Sequence, residues 1–257
     1  MKYYCYLFFG FAYLIPSLIC GQSLYGDHLN GPYVGGAAGI SNALSADGSR
    51  IVVGGPGSND VGSDAGTVEV YEFTSGNWQL LGSEFTGDAA YDAAGFSVSI
   101  SADGSIIAFG SPNRPLVFDP HTTAGYVRVF TYSGGTWTQL GSDLTGQVIG
   151  DEFGYSVALS ADGSRIAIGA HFSNEAAAIA GSVRVYDFTG GVWTQVGSTI
   201  LGDAAGDELG FFVSISDDGE RIAVCAPFND ANGGDAGLVR VYELDGGDWS
   251  QVGSDLQ

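Results

Sequence analysis

Asp88, Asp92, Asp151, Glu152, Asp203, Asp207 and Glu208 stand in short glycine-bounded stretches that recur along the chain. Asp60, Asp64, Asp119, Glu175, Asp230 and Asp235 form a second recurring set. Carboxylates at this density can ligate a hard cation through several oxygens, cleave a glycosidic bond as acid and base, or attract an oppositely charged partner. The best spacing for a cation is Asp230-Ala231-Asn232-Gly233-Gly234-Asp235, where Asp230, Asn232 and Asp235 make a partial calcium loop around glycine. A solvated acidic loop is the competing reading. Asn59, Asp60 and Asp64 repeat the pattern more weakly. No two carboxylates hold a spacing specific to glycoside hydrolysis. His28, His121 and His171 are scattered, and neither a nucleophile elbow nor a phosphate loop occurs. No catalytic residue and no cofactor other than calcium is therefore expected, and the chain is not read as an enzyme.

Across 257 residues, 29 acidic side chains face 8 basic ones, for a net charge of -21. Phosphate contacts need a Lys or Arg stripe, so nucleic acid and anionic lipid drop out as partners. The 42 glycines keep no three-residue period and 45% of residues are hydrophobic, which excludes collagen and wholesale disorder.

Residues 1–21 read as a secretory signal peptide: Lys2, an apolar run from Tyr3 to Leu14, a break at Pro16 and small residues near Gly21. The mature chain, 22–257, is expected outside the cell with no membrane insertion. An uncleaved anchor is the rival, disfavoured by Pro16 and the lack of flanking basic residues. Cys5 and Cys20 leave with the signal, so Cys225 stands alone in an apolar strand pattern and no internal disulfide can form.

The elements that must position the acids come from a repeat. Asp47, Asp103, Asp162 and Asp218 follow one another by 56, 59 and 56 residues, and Trp78, Trp137, Trp193 and Trp249 by 59, 56 and 56. In the third copy, residues 154–159 alternate large and small as strand A, Asp162-Gly163 marks a hairpin, and 165–169 form strand B. Strand C follows at 181–188 and strand D at 192–200, after a Gly190-Gly191 turn. Four short antiparallel strands per copy, with no helix, predict an all-β propeller of four four-stranded blades, at about 32–87, 88–146, 147–202 and 203–257. A β-solenoid is the alternative stacking. The copies fit a closed four-bladed ring or an open arc cut from a longer array; an arc exposes blade faces to self-association.

Several strings carry a family resemblance: Phe153 to Leu159, Asp162-Gly163, Ile166-Ala167-Ile168-Gly169-Ala170, and Gly181 to Tyr186. They resemble FG-GAP repeats of the integrin α-subunit type, four times over nearly the whole mature chain. Phe-Gly is literal only at Phe153-Gly154, with Ala94-Gly95 and Leu209-Gly210 elsewhere. Kelch repeats are the second resemblance, through Tyr186, Trp193 and Gly54-Gly55. The FG-GAP resemblance implies a propeller and an adhesive partner-binding face. The calcium sites of that family are not carried over, because the A-to-B turn at 160–164 has a single carboxylate.

In an antiparallel meander the D-to-A and B-to-C loops share one rim. The resemblance makes that rim, with Asp88, Asp92, Asp151, Glu152, Asp203, Asp207, Glu208 and Asp235, the partner-binding surface for an extracellular protein or glycan. A secreted hydrolase on the same scaffold, or a piece of a larger repeat protein, is the alternative. Arg128, Arg184 and Arg240, mid-strand C, are expected to pair with repeat carboxylates or stack on a neighbouring ring, and the tryptophans to fill the outer core of each blade.

Overall fold

The computed structural model describes residues 29, 31, 35–114 and 123–256. Residues 1–21, expected to be a signal peptide, and His28, Asp119 and His121 lie outside them. The first sheet holds β1 (Ser41–Leu44), β2 (Arg50–Gly55), β3 (Thr67–Thr74), β4 (Asn77–Leu80) and β5 (Phe85–Thr86). The second holds β6 (Ser97–Ile100), β7 (Ile106–Ser111), β8 (Tyr126–Ser133), β9 (Thr136–Gln139) and β10 (Leu144–Thr145). The third holds β11 (Ser156–Leu159), β12 (Arg165–Ala170), β13 (Ser182–Thr189), β14 (Val192–Gln195) and β15 (Ile200–Leu201). The fourth holds β16 (Phe212–Ile215), β17 (Arg221–Ala226), β18 (Leu238–Asp245) and β19 (Asp248–Gln251). All pairings within these sheets are antiparallel between chain neighbours, apart from β5, β10 and β15, which return to strand C. The described residues contain no helix.

Strand D departs from expectation. Instead of running unbroken over 192–200, it pairs Gln195 with Tyr186 and then Ile200 with Val183. The outer strand thus advances five residues while the inner advances three, and Gly197-Ser198-Thr199 bulge off the ladder. The bulge seats the tryptophan of the next blade. A Cβ on Gly197 would lie 2.7 Å from Trp249 Cδ1, and Trp249 Nε1 donates to Val196 O at 2.9 Å. Trp137 and Trp193 donate likewise to Leu81 O and Leu140 O at 2.7 Å. Trp137, Trp193 and Trp249 therefore bind blade to blade rather than only filling one blade.

The sheets are radial. β1 packs on β6, β6 on β11 and β11 on β16, and the leading residues of all four line one axial space of about 520 Å³. A linear solenoid is excluded by this arrangement. Period-two alternation sends Ile166 and Ile168 into the core shared with the second blade and Ala167 into the core shared with the fourth. Ser41, Ser97 and Ser156 Oγ each donate to a carbonyl of the next blade, Gly95, Gly154 and Gly210. The close approach requires glycine opposite: a Cβ on Gly54, Gly110 or Gly169 would lie 2.0, 1.9 and 2.0 Å from those same carbonyl oxygens. Among the described residues three apolar cores serve four sheets, and Ile40, Leu44 and Phe212 on the two end blades are more than half exposed. The arrangement is an arc of four blades.

Candidate functional site

Each D-to-A loop turns sharply, leaving backbone N–H groups outside the ladder, and a repeat aspartate accepts them. Asp92 Oδ2 takes Asp88 N (2.9 Å) and Ala89 N (3.0 Å), and Asp151 Oδ2 takes Val148 N (3.0 Å). Asp207 Oδ2 takes Ala204 N (3.0 Å) and the Asn229 amide (2.9 Å). All three are buried. Expected at the partner-binding surface, Asp92, Asp151 and Asp207 are instead loop clamps with almost no exposed area. Asp88 and Asp203 do face solvent, but each is held by an arginine. Arg128 Nη1 donates to Asp88 (3.0 Å) and its Nε to Asp143 (3.1 Å); Arg240 Nη1 donates to Asp203 (3.0 Å) and its Nε to Asp255 (2.8 Å). Those hydrogen bonds hold Asp88 and Asp255 below the usual carboxylate range.

In the B-to-C loops, Asp230 Oδ1 accepts Asp235 N at 2.8 Å. Asn59 makes the same bond to Asp64 N and Asn174 to Ile179 N, both at 2.8 Å. A neutral amide does in two copies what Asp230 does in the fourth, so the loop fold needs no charge there. Among the described residues no three His, Cys, Asp or Glu side chains gather in a form that could hold a metal.

A different group assembles where sequence columns break. Proline precedes the B-to-C loop at Pro56, Pro112 and Pro227, but the third copy has His171. The residue before the apolar-glycine pair is alanine in two copies, Ala37 and Ala93, and glutamate at Glu152 and Glu208, all with φ of 53–56°. The loop accepts alanine in this left-handed conformation, so the carboxylates are not there for the turn. His171 Nε2 lies 3.9 Å from Glu152 Oε2 and 3.8 Å from Glu208 Oε2. Arg114 Nε is 3.4 Å from Glu152 Oε2, with its guanidinium 4.9 Å above the Phe96 ring and 5.5 Å above Tyr155. Tyr155 packs on His171 at 3.8 Å between centroids and on Phe211 at 4.9 Å.

Burial governs the charges in this group. It pushes Glu152 up to about 7, against the pull of Arg114 and with help from Glu208, and it also raises Glu208. Burial, then Arg114, lowers His171 to about 3, so its imidazole is neutral at neutral pH. His171 Nδ1 is buried without a hydrogen-bond partner among the described residues. The result is an acid pair of adjustable protonation beside a neutral imidazole and aromatic faces, drawn from three blades. Sequence reasoning set His171 aside as scattered; its signal was the single histidine in a proline column.

Radial antiparallel blades about a common axis define a β-propeller, and two solved structures, the first two below, agree. A protein described as a candidate 6-phosphogluconolactonase from Bacteroides uniformis is 14% identical over 85% of this chain and 57% of its own, with a TM-score of 0.55. The WD40 repeats of RRP9 are 13% identical over 84% of this chain and 50% of their own, TM-score 0.50. Kuenenia stuttgartiensis hydrazine synthase stands at 17%, 82%, 53% and 0.49. The chain spans about half the length of these structures, and at such identities the likeness concerns the fold alone. No protein-family model and no curated protein matches the chain.

Proposed function

We propose that this chain is a secreted, non-catalytic binding module on an FG-GAP-like propeller scaffold, recognising an extracellular protein partner through its loop rim at Glu208, with Glu152 and His171 buried behind it. The observation that supports this is the convergence of departures from the repeat. Glu152 and His171 of the third blade and Glu208 of the fourth meet beside Arg114 of the second at one place on a rigid scaffold, where recognition characteristically resides. Glu208 pairs with no arginine among the described residues, so a Lys or Arg side chain of the partner completes it, with Phe211 offering a face to the cation. The net charge of -21 steers such a partner inward. A glycan is the competing partner.

A second reading, acid–base hydrolysis, is favoured by one observation: Glu152 is held at about 7, near the pKa that suits proton transfer at neutral pH. A phosphorylated lactone of the kind named for the Bacteroides protein fits poorly here, because two carboxylates and one guanidinium leave the group net negative. Capture of extracellular proteins by immobilised wild-type chain, against Glu208→Lys and His171→Ala, tests the first reading. Wild type alone retains a partner, while the melting temperatures of the variants stay within a few degrees. Turnover of glycans or lactones that disappears in Glu152→Gln replaces it with the second.

A further inference from the structure

Three blades carry an arginine at the same place in strand C: Arg128, Arg184 and Arg240. In the second and fourth blades the guanidinium is clasped by two carboxylates. Asp143 and Asp255 take Nε, Asp88 and Asp203 take Nη1, and each pair shares Nη2. The third blade lacks both acids. Gly197-Ser198-Thr199 stands where the sisters read Gly141-Ser142-Asp143 and Gly253-Ser254-Asp255, and Gln147 stands where they have Asp88 and Asp203. Even the supporting glutamine is kept: Gln139 and Gln251 donate to Asp143 and Asp255 at 2.6 and 2.8 Å, whereas Gln195 donates to Thr199 Oγ1 at 3.3 Å.

Arg184 is left with one partner, Glu175 on Nη2. Its Nε and Nη1, the atoms that bind carboxylate in the sister blades, are buried and meet no acceptor among the described residues, and the side chain is only 2% exposed. Buried guanidinium donors without acceptors are strongly unfavourable, so the site is poised for an anion. Its partner Glu175, with Gln147, Val148, Asp151, Ser173 and Asn174, lines a cavity of about 110 Å³, several times the roughly 30 Å³ share of one water; Arg184 itself lies behind Glu175 rather than on the wall. Two of its walls are the residue standing for Asp88 and the carboxylate already on Arg184.

We infer that Arg184 is a receptor for a carboxylate from outside the blade, supplied by an Asp or Glu side chain of the protein partner. The sister blades fix the chemistry, because there the same two nitrogens hold aspartate. They also answer the electrostatic objection. Arg128 with Asp88, Asp143 and Asp92, and Arg240 with Asp203, Asp255 and Asp207, each carry two net negative charges. Arg184 with Glu175 and Asp151 carries one, so an added carboxylate only restores the pattern of the other blades. A planar fork of donors suits a carboxylate better than a halide. The carrier of the carboxylate rests on the rim-binding reading above; the site itself does not.

Thermal melting of the full chain at constant ionic strength, exchanging chloride for acetate, tests the site without any partner. Acetate raises the melting temperature of wild type. Thr199→Asp, which supplies the carboxylate internally as Asp143 and Asp255 do, melts higher in chloride and binds acetate at least ten-fold more weakly. Gln147→Asp serves the same purpose if Thr199→Asp does not fold. Equal acetate responses in wild type and variant, or no response in wild type, overturn the proposal. A blocked aspartate, N-acetyl-aspartyl-N-methylamide, binds more tightly than glucuronate if a protein supplies the group; the reverse order overturns that part. Loss of partner capture in Glu208→Lys with the acetate response intact separates the two sites.

Discussion

Glu152 is a carboxyl group that the fold prefers to keep protonated. Its folded pKa of about 7 lies above the ordinary 4.5, so the folded chain binds more protons than the unfolded chain between those values. Its contribution to stability is complete below about pH 4.5 and is lost as pH rises through 7. His171 acts in the opposite sense. Held at about 3 rather than 6.5, it adds stability as pH rises through that window, so the two slopes oppose each other between about 4.5 and 6.5. Glu152→Gln removes only the first. Urea unfolding is therefore expected to show this variant gaining on wild type by on the order of 3 kcal/mol at pH 8 relative to pH 4. A constant difference across that range would mean Glu152 titrates as in solvent.

Among the elements, the loops divide the acids into those that hold the chain and those that face outward. Asp207 is a buried clamp on Ala204 N and Asn229, whereas Asp203, four residues earlier, is more than half exposed and pairs with Arg240 at the surface. Asp207→Ala leaves buried donors unmet and is expected to cost about 2–3 kcal/mol. Asp203→Ala is expected to cost below about 1 kcal/mol, as exposed ion pairs do. Chemical denaturation of both reads the difference directly, and equal losses would refute the division. Sequence could not separate these acids. Both stand in the same glycine-bounded stretch, and only the path of the loop decides which one turns inward to its own backbone.

At the scale of the whole molecule, one glycine in each of the first three blades, Gly54, Gly110 and Gly169, sets how blades join. A Cβ on Gly169 meets Gly210 O at 2.0 Å, so Gly169→Ala must push the fourth blade away and is expected to cost about 3 kcal/mol. The fourth blade carries Cys225 in that column and Phe212 where Ser41, Ser97 and Ser156 reach across. A blade packed on its outer face must therefore take a register different from the three seen here. Nothing occupies that approach among the described residues, so Cys225→Ala is expected to change stability by less than about 1 kcal/mol. Comparable losses in the two variants would show that the fourth face is filled in solution.

The sequence by itself determined the four-fold repeat, the strand order within each copy, the side from which loops emerge and the absence of helix among the described residues. These follow from period-two alternation, Asp-Gly turns and fixed spacing, all of which act over a few neighbouring residues. It left Arg128 and Arg240 between a carboxylate and a ring, and the fold gives both carboxylates while also laying Arg128 over Tyr126. Tertiary structure alone decided that strand D breaks at Gly197 to receive Trp249, that Asp92, Asp151 and Asp207 turn inward, and that His171 meets Glu152 and Glu208. The reason is physical: the tryptophan and histidine contacts join residues about 20 to 55 positions apart, with partners chosen by the approach of separate sheets, while the aspartates answer N–H groups that only the folded path of their own loop leaves unpaired.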